Sequence, residues 1–168
     1  MMVKPQQYKD LFNLKNKVAI VTGGYGHLGS AMSKGLASFG AKVLVVGRTK
    51  GKTIEFDGDM SYILCDVTNP SEVELKIENI IKEYGTIDIL INNAFCEDRK
   101  SVDEITKKEW DIGLDNILSH NFFCSQAVIP YMLKQGSGSI INVSSIYGFL
   151  GHDQSLYQEV KSASIFYS

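Results

Sequence analysis

Residues 17–29 read Lys17-Val-Ala-Ile-Val-Thr-Gly-Gly-Tyr-Gly-His-Leu-Gly29, and the order of events in that stretch decides the fold. Lys17 to Val21 is a short, β-branched apolar run stopped by a glycine cluster, which marks a buried strand rather than a helix start. The period then changes. Leu28, Met32, Leu36 and Phe39 recur at three- and four-residue steps, predicting one apolar helix face, and Gly40 is placed to end it. Between strand and helix, Gly24, Gly26 and Gly29 fit G-x-G-x-x-G. Glycines let the backbone turn sharply and approach a pyrophosphate, while the amides at the following helix start supply donors. The motif alone is weak; in this strand–loop–helix setting it predicts a dinucleotide site.

Further strands are expected at Lys42 to Val46, Ser61 to Cys65, Ile87 to Ile91 and Ser139 to Val143. Asn69-Pro70 opens a helix whose apolar face is Val73, Ile77, Ile80, Ile81 and Tyr84, and Gly85 ends it. A long helical stretch falls within Thr106 to Leu133, and a last helix starts near Ser155. Arg48 to Asp59 lacks helical periodicity and reads as a loop or a single helical turn. Strands and helices alternate, and the strands are apolar almost throughout. This predicts an α/β domain with a doubly wound parallel sheet, covered on both faces by crossover helices. No repeat or linker divides the chain, so a single domain over residues 1–168 is expected.

Composition removes several functions. The 168 residues carry 17 Lys+Arg against 19 Asp+Glu, a net charge of −2, and no field to steer onto nucleic acid or an anionic membrane. Apolar runs reach four or five residues, far short of a bilayer span, and Met1 to Asp10 lacks the apolar core of a signal peptide. A cytoplasmic location is therefore expected. Cys65, Cys96 and Cys124 are odd in number with no C-x-x-C pair, and read as small core hydrophobes. His120 and His152 have no metal-ligand spacing, so no metal site is expected.

The second strand ends at Gly47-Arg48, where dinucleotide folds that bind NAD usually place a carboxylate for the ribose 2′-hydroxyl. A guanidinium suits a 2′-phosphate better, which favours NADP over NAD. Gly47-Arg-Thr-Lys-Gly-Lys-Thr53 mimics a Walker A loop but has three residues between its glycines where that motif needs four. Near the C-terminus, Asn142-Val-Ser-Ser145 closes the fifth strand, and Tyr157 and Lys161 share one face of the expected last helix. An ammonium beside a phenol favours its ionised form and makes Tyr157 a usable proton donor and acceptor. Ser145, at the carboxyl end of a strand where open α/β sheets bind ligands, could hold a carbonyl or hydroxyl oxygen. The Tyr-x-x-x-Lys spacing is a weak signal in a chain with 8 tyrosines; its force comes from coincidence with the strand-end serines and the glycine loop.

Taken in order, the Thr22 to Gly29 loop, Cys65-Asp66-Val67, Ile91-Asn92-Asn93-Ala94, Asn142 to Ser145, and Tyr157 with Lys161 make the chain resemble the short-chain dehydrogenase/reductase family over nearly its whole length. The resemblance implies a Rossmann-like sheet of about five strands in the order 3-2-1-4-5, and hydride transfer between NADP(H), or alternatively NAD(H), and an alcohol or carbonyl substrate. It implies cofactor contacts from Gly23, Tyr25, Gly26, His27, Leu28 and Arg48. Asp66 would bind the adenine amine, Val67 would lie along the ring, and Asn93 and Ala94 would flank the ribose. Tyr157 would be the acid/base, Lys161 would hold the nicotinamide ribose and lower the tyrosine pKa, and Ser145 would polarise the reacting oxygen. Ser144-Ser-Ile-Tyr-Gly148 is similar to members acting on sugars, sugar acids and polyols. Family members pair through the long fourth helix and the Tyr/Lys helix, so Ile117, Leu118, Phe122 and Phe123 are candidates for a homo-oligomer contact or for ordinary core.

Four departures qualify the resemblance. His27 stands where the commoner loop has Gly, and Phe95 replaces the last glycine of Asn-Asn-Ala-Gly. Ungapped counting from Trp110 puts Ile117 at the place of the family's catalytic asparagine. Asn116 is adjacent, but one residue on a helix turns a side chain by about 100°, so Asn116 stays outside the catalytic set. Finally, the family continues past the Tyr/Lys helix through two more strands and a substrate-covering segment. The 168-residue chain is therefore expected to expose its fifth strand as an edge and to be weakly active, inactive or poorly soluble. The competing expectation is a non-catalytic dinucleotide-binding or interaction module.

Overall fold

The computed structural model describes residues 11–48, 58–95 and 104–145. Five parallel strands, β1 (Val18–Thr22), β2 (Lys42–Gly47), β3 (Met60–Leu64), β4 (Ile89–Asn92) and β5 (Ser139–Asn142), form one sheet in the order 3-2-1-4-5. This is the doubly wound architecture expected from the alternation, with strand ends shifted by a residue or two. Pairing Val21 with Val45 and Ile91, and Asn92 with Asn142, aligns the carboxyl ends of the central strands on one edge.

Period-2 alternation sorts the apolar strand residues onto two faces. Val18, Ile20, Leu44 and Leu90 meet Val73, Ile77 and Ile80 of helix α2 (Pro70–Tyr84), and Cys124, Val128 and Met132 of helix α4 (His120–Gln135). Ala19, Val21, Val43, Val45 and Ile91 meet Met32 and Leu36 of helix α1 (His27–Ser38). Both faces are thus covered. The α2 ends follow the sequence closely: Asn69 caps Glu72 N–H at 3.3 Å, Pro70 takes the first turn, and Gly85 closes the helix at φ 77°.

Two elements depart from expectation. The buried stripe of α1 is Gly29 and Ser33, flanked by Met32 and Leu36, whereas Leu28 is 59% and Phe39 54% exposed. Gly29 lies so close to the loop that a Cβ there would strike the Gly23 carbonyl oxygen and come within 2.7 Å of Asn93 Nδ2. Only small residues fit along that line, so the helix is rotated and its larger apolar side chains sit beside the contact. The long helical stretch is likewise interrupted. Helix α3 (Lys107–Leu114) opens on a Thr106/Glu109 capping box, and one π-helical turn (Asp115–Ser119) separates it from α4. The loop over 49–57, Cys96, His152 and the last helix with Tyr157 and Lys161 lie outside the described residues.

Candidate cofactor and substrate cleft

Thr22 organises the edge where the strands end. Its buried hydroxyl donates to the Ile91 carbonyl and accepts the Asn93 and Ala94 amides at 2.9 and 3.0 Å, joining the end of β1 to the end of β4. Asn93 returns the link. Its Nδ2 donates to the carbonyls of Thr22 and Gly23 at 3.1 and 3.3 Å, which sets the glycine loop against β4. Gly23 has φ 63°, and a Cβ there would lie 2.8 Å from Ala94 Cα, so backbone alone can pass.

Two adjoining clefts open on this edge. One is lined by Gly47, Arg48, Asp66, Val67, Thr68, Asn116 and His120; the other, about 580 Å³, by Gly26, His27, Leu28, Gly29, Asn93, Ile117, Asn121, Ser144 and Ser145. Gly23, Ala94 and the half-exposed Phe95 line both and form the ridge between them. The π turn sets the split, with Asn116 and His120 on the first cleft and Ile117 and Asn121 on the second.

In the first cleft, Asp66 Oδ1 accepts from Thr68 N–H at 3.0 Å and Thr68 Oγ1 at 2.8 Å, which fixes the carboxylate on its turn. Arg48 follows β2 on the same rim. His120 is 1% exposed, and its Nδ1–H donates to the Asp115 carbonyl at 3.2 Å. Burial lowers its pKa from the ordinary histidine value, so the ring is neutral near pH 7. Burial also pushes the Cys65 and Cys124 thiols up to about 12, leaving them protonated and unreactive.

At the second cleft, α1 starts from Gly26 without a side-chain cap and without an acidic residue in its first turn. Amides and the positive end of the helix dipole therefore meet the cleft with no local anion, which fits a pyrophosphate. Leu28, assigned by periodicity to the core, is instead exposed on the cleft wall. Tyr25 lines neither cleft; its ring packs on Tyr62 with centroids 4.8 Å apart. Behind the serines, buried Asn92 donates through Nδ2 to Asn142 Oδ1 at 2.8 Å, and lies 3.1–3.2 Å from Ser125 Oγ and the Asn121 carbonyl. This network ties the ends of β4 and β5 to α4.

Of the residues proposed from sequence, Gly23, Gly26, His27, Leu28, Arg48, Asp66, Val67, Asn93, Ala94 and Ser145 all come to this double cleft. Thr22, Asn92, His120 and Asn121 were missed. Thr22 and Asn92 sit inside the quoted motifs, where their polarity at the end of an apolar strand was the available signal; the two α4 residues had none, because the π turn hides their facing.

The short chain dehydrogenase family profile matches residues 17–165. A D-xylose 1-dehydrogenase of Caulobacter vibrioides is 32% identical over 158 residues, which cover 89% of this chain and 62% of that protein. A gluconate 5-dehydrogenase of Gluconobacter oxydans is 35% identical over 146 residues, 83% of this chain and 57% of the relative. Among solved structures, Thermoplasma acidophilum aldohexose dehydrogenase in ligand-free form superposes with a TM-score of 0.75 at 34% identity, covering 88% of this chain and 57% of that one. The chain spans about three fifths of the length of such curated relatives. With the family profile spanning the glycine loop, the Asp66 turn and the strand-end serines, this chain belongs to the short-chain dehydrogenase family.

Proposed function

We propose that the chain carries the dinucleotide and reaction sites of an NADP-preferring oxidoreductase, NAD being the alternative, that interconverts an alcohol and a carbonyl. The observation that supports it is the convergence of the uncapped helix start at Gly26, the Asp66 turn with Arg48, and Ser144 and Ser145 on one edge of the sheet. The α1 amides would hold the pyrophosphate, Asp66 and Val67 the adenine, Asn93 and Ala94 the ribose, and Arg48 a 2′-phosphate. The bound nicotinamide supplies or accepts the hydride. Ser145 would hold the reacting oxygen, Tyr157 would exchange the proton on that oxygen, and Lys161 would keep the phenol acidic and hold the second ribose. Sugars, sugar acids or polyols are the proposed substrates, as the similar proteins named for xylose and gluconate encourage. A cytoplasmic single-domain protein is the matching setting. Exposed Leu118, Phe122, Ile129 and Leu133 on the long helix offer a face for self-association. Ile117, apolar and on the reaction cleft, favours a second reading as a non-catalytic dinucleotide-binding module.

The test is a thermal shift with NADPH and NADH, followed by turnover of Tyr157→Phe. A ligand at ~100 times its Kd adds about 2.7 kcal/mol to stability. NADPH should raise Tm more than NADH, Arg48→Ala should narrow the difference, and Tyr157→Phe should abolish turnover while cofactor binding persists. Binding without wild-type turnover would support the module reading, and no shift with either nucleotide would reject both.

A further inference from the structure

Among the described residues that line the reaction cleft, Asn121 carries a buried side-chain atom with no hydrogen-bond partner. Asn121 lines the cleft beside Ile117, Ser144 and Ser145. Its Nδ2 donates to the Ile117 carbonyl at 2.8 Å, across the π turn, and the Asn121 backbone carbonyl accepts from Ser125 Oγ at 2.6 Å. A carbonyl can only accept, so the Ile117 oxygen fixes which end of the Asn121 amide is nitrogen. The other end, Oδ1, is then defined, and it is buried with no partner among the described residues. A buried amide oxygen left unpaired is costly, and a ligand hydroxyl that reaches it through a small shift of the cleft wall would remove that cost.

We propose that Asn121 is the hydroxyl-binding residue of the reaction cleft, its Oδ1 accepting a hydrogen bond from a hydroxyl in the bound complex. The inference rests on the oxidoreductase reading above and deepens it. The four-residue step from Ile117 keeps both side chains on one wall. An acceptor there selects ligands that present O–H and rejects isosteres that lack it, since the loss of one hydroxyl leaves the oxygen unpaired again. The hydroxyl belongs either to a polyhydroxylated substrate or to a water held between protein and substrate.

Asn121→Leu removes both ends of the amide at similar volume. With D-xylose and gluconate as probes and saturating cofactor, Asn121→Leu should raise KM about tenfold and leave the cofactor Kd within about twofold. A fall in kcat with a displaced pH profile and unchanged KM assigns the hydroxyl to a water. Unchanged KM, kcat and pH profile in Asn121→Leu overturn the proposal. So does a loss of Tm with cofactor and substrate affinity falling together, because the role is then structural. A readout independent of turnover is the Asn121 side-chain amide NMR signal, assigned by its absence in Asn121→Leu. Because a hydrogen bond to Oδ1 polarises the whole amide, this signal should shift saturably with D-xylose or gluconate, and its silence in a protein that binds either probe also overturns the proposal. Failure to bind NADPH or NADH rejects the oxidoreductase reading separately.

Discussion

Thr22 shows how much of a cofactor site can depend on a residue that need not touch the cofactor. One hydroxyl serves the Asn93 and Ala94 amides and the Ile91 carbonyl, where the loop, β1 and β4 must hold a common position. Thr22→Val keeps the shape and strands two amides in a buried environment. At about 1–3 kcal/mol for each unsatisfied group, less whatever water can repair, the variant should lose about 3 kcal/mol in urea unfolding. Nucleotide affinity should fall as well, because the ridge of Gly23 and Ala94 would no longer be fixed. A loss below about 0.5 kcal/mol would mean that the amides find other partners.

The π turn is the element that most shapes the cleft, and it is the one the sequence concealed. Its closing residue, His120, sends both its backbone N–H and its ring Nδ1–H to the Asp115 carbonyl. Because burial lowers the histidine pKa in the folded protein, the unfolded chain binds the proton first as pH falls. Stability contributed by neutral His120 is therefore full above the unfolded value of about 6.5, and is lost progressively below it until the folded ring also titrates. Urea melts between about pH 7.5 and 5.5 should show a steeper acid loss in the wild type than in His120→Gln, by up to about 1.4 kcal/mol per pH unit. Parallel profiles would refute this. The strand positions, the α2 boundaries and the glycine loop were legible because each rests on a local rule: an apolar run, an Asn-Pro cap, a glycine where a side chain cannot fit; the strand order followed only from the family resemblance. The facing of α1 and α4 was not. Gly29 and Ser33 determine the first through a close approach that hydrophobic periodicity ignores. One extra residue in the helical ladder determines the second, moving Asn116 away from the serines and Asn121 toward them.

At the scale of the whole molecule, stability and function occupy different parts of one sheet. Strand β1 and the middle of β2 are fully buried, whereas β5 stands at one end of the order with Ser139, Ile141 and Asn142 exposed. Amide exchange should follow that gradient, with β1 and β2 opening only on global unfolding and β5 by local opening. Nucleotide binding acts on the two populations differently. A ligand at ~100 times its Kd slows every globally exchanging amide by about 100-fold, wherever it lies, because it raises the cost of complete unfolding. Locally exchanging amides respond only where the ligand sits. Hydrogen exchange with and without NADPH should therefore protect the Gly23, Asn93 and Ala94 amides at the carboxyl edge. The Lys17 and Ser139 amides, bonded to Leu14 and Asp88 carbonyls at the opposite edge, should retain their local rates. Protection spread equally over both edges would place the nucleotide elsewhere or show that the sheet opens only as a unit, and protection confined to the carboxyl ends would locate the site on the edge organised by Thr22.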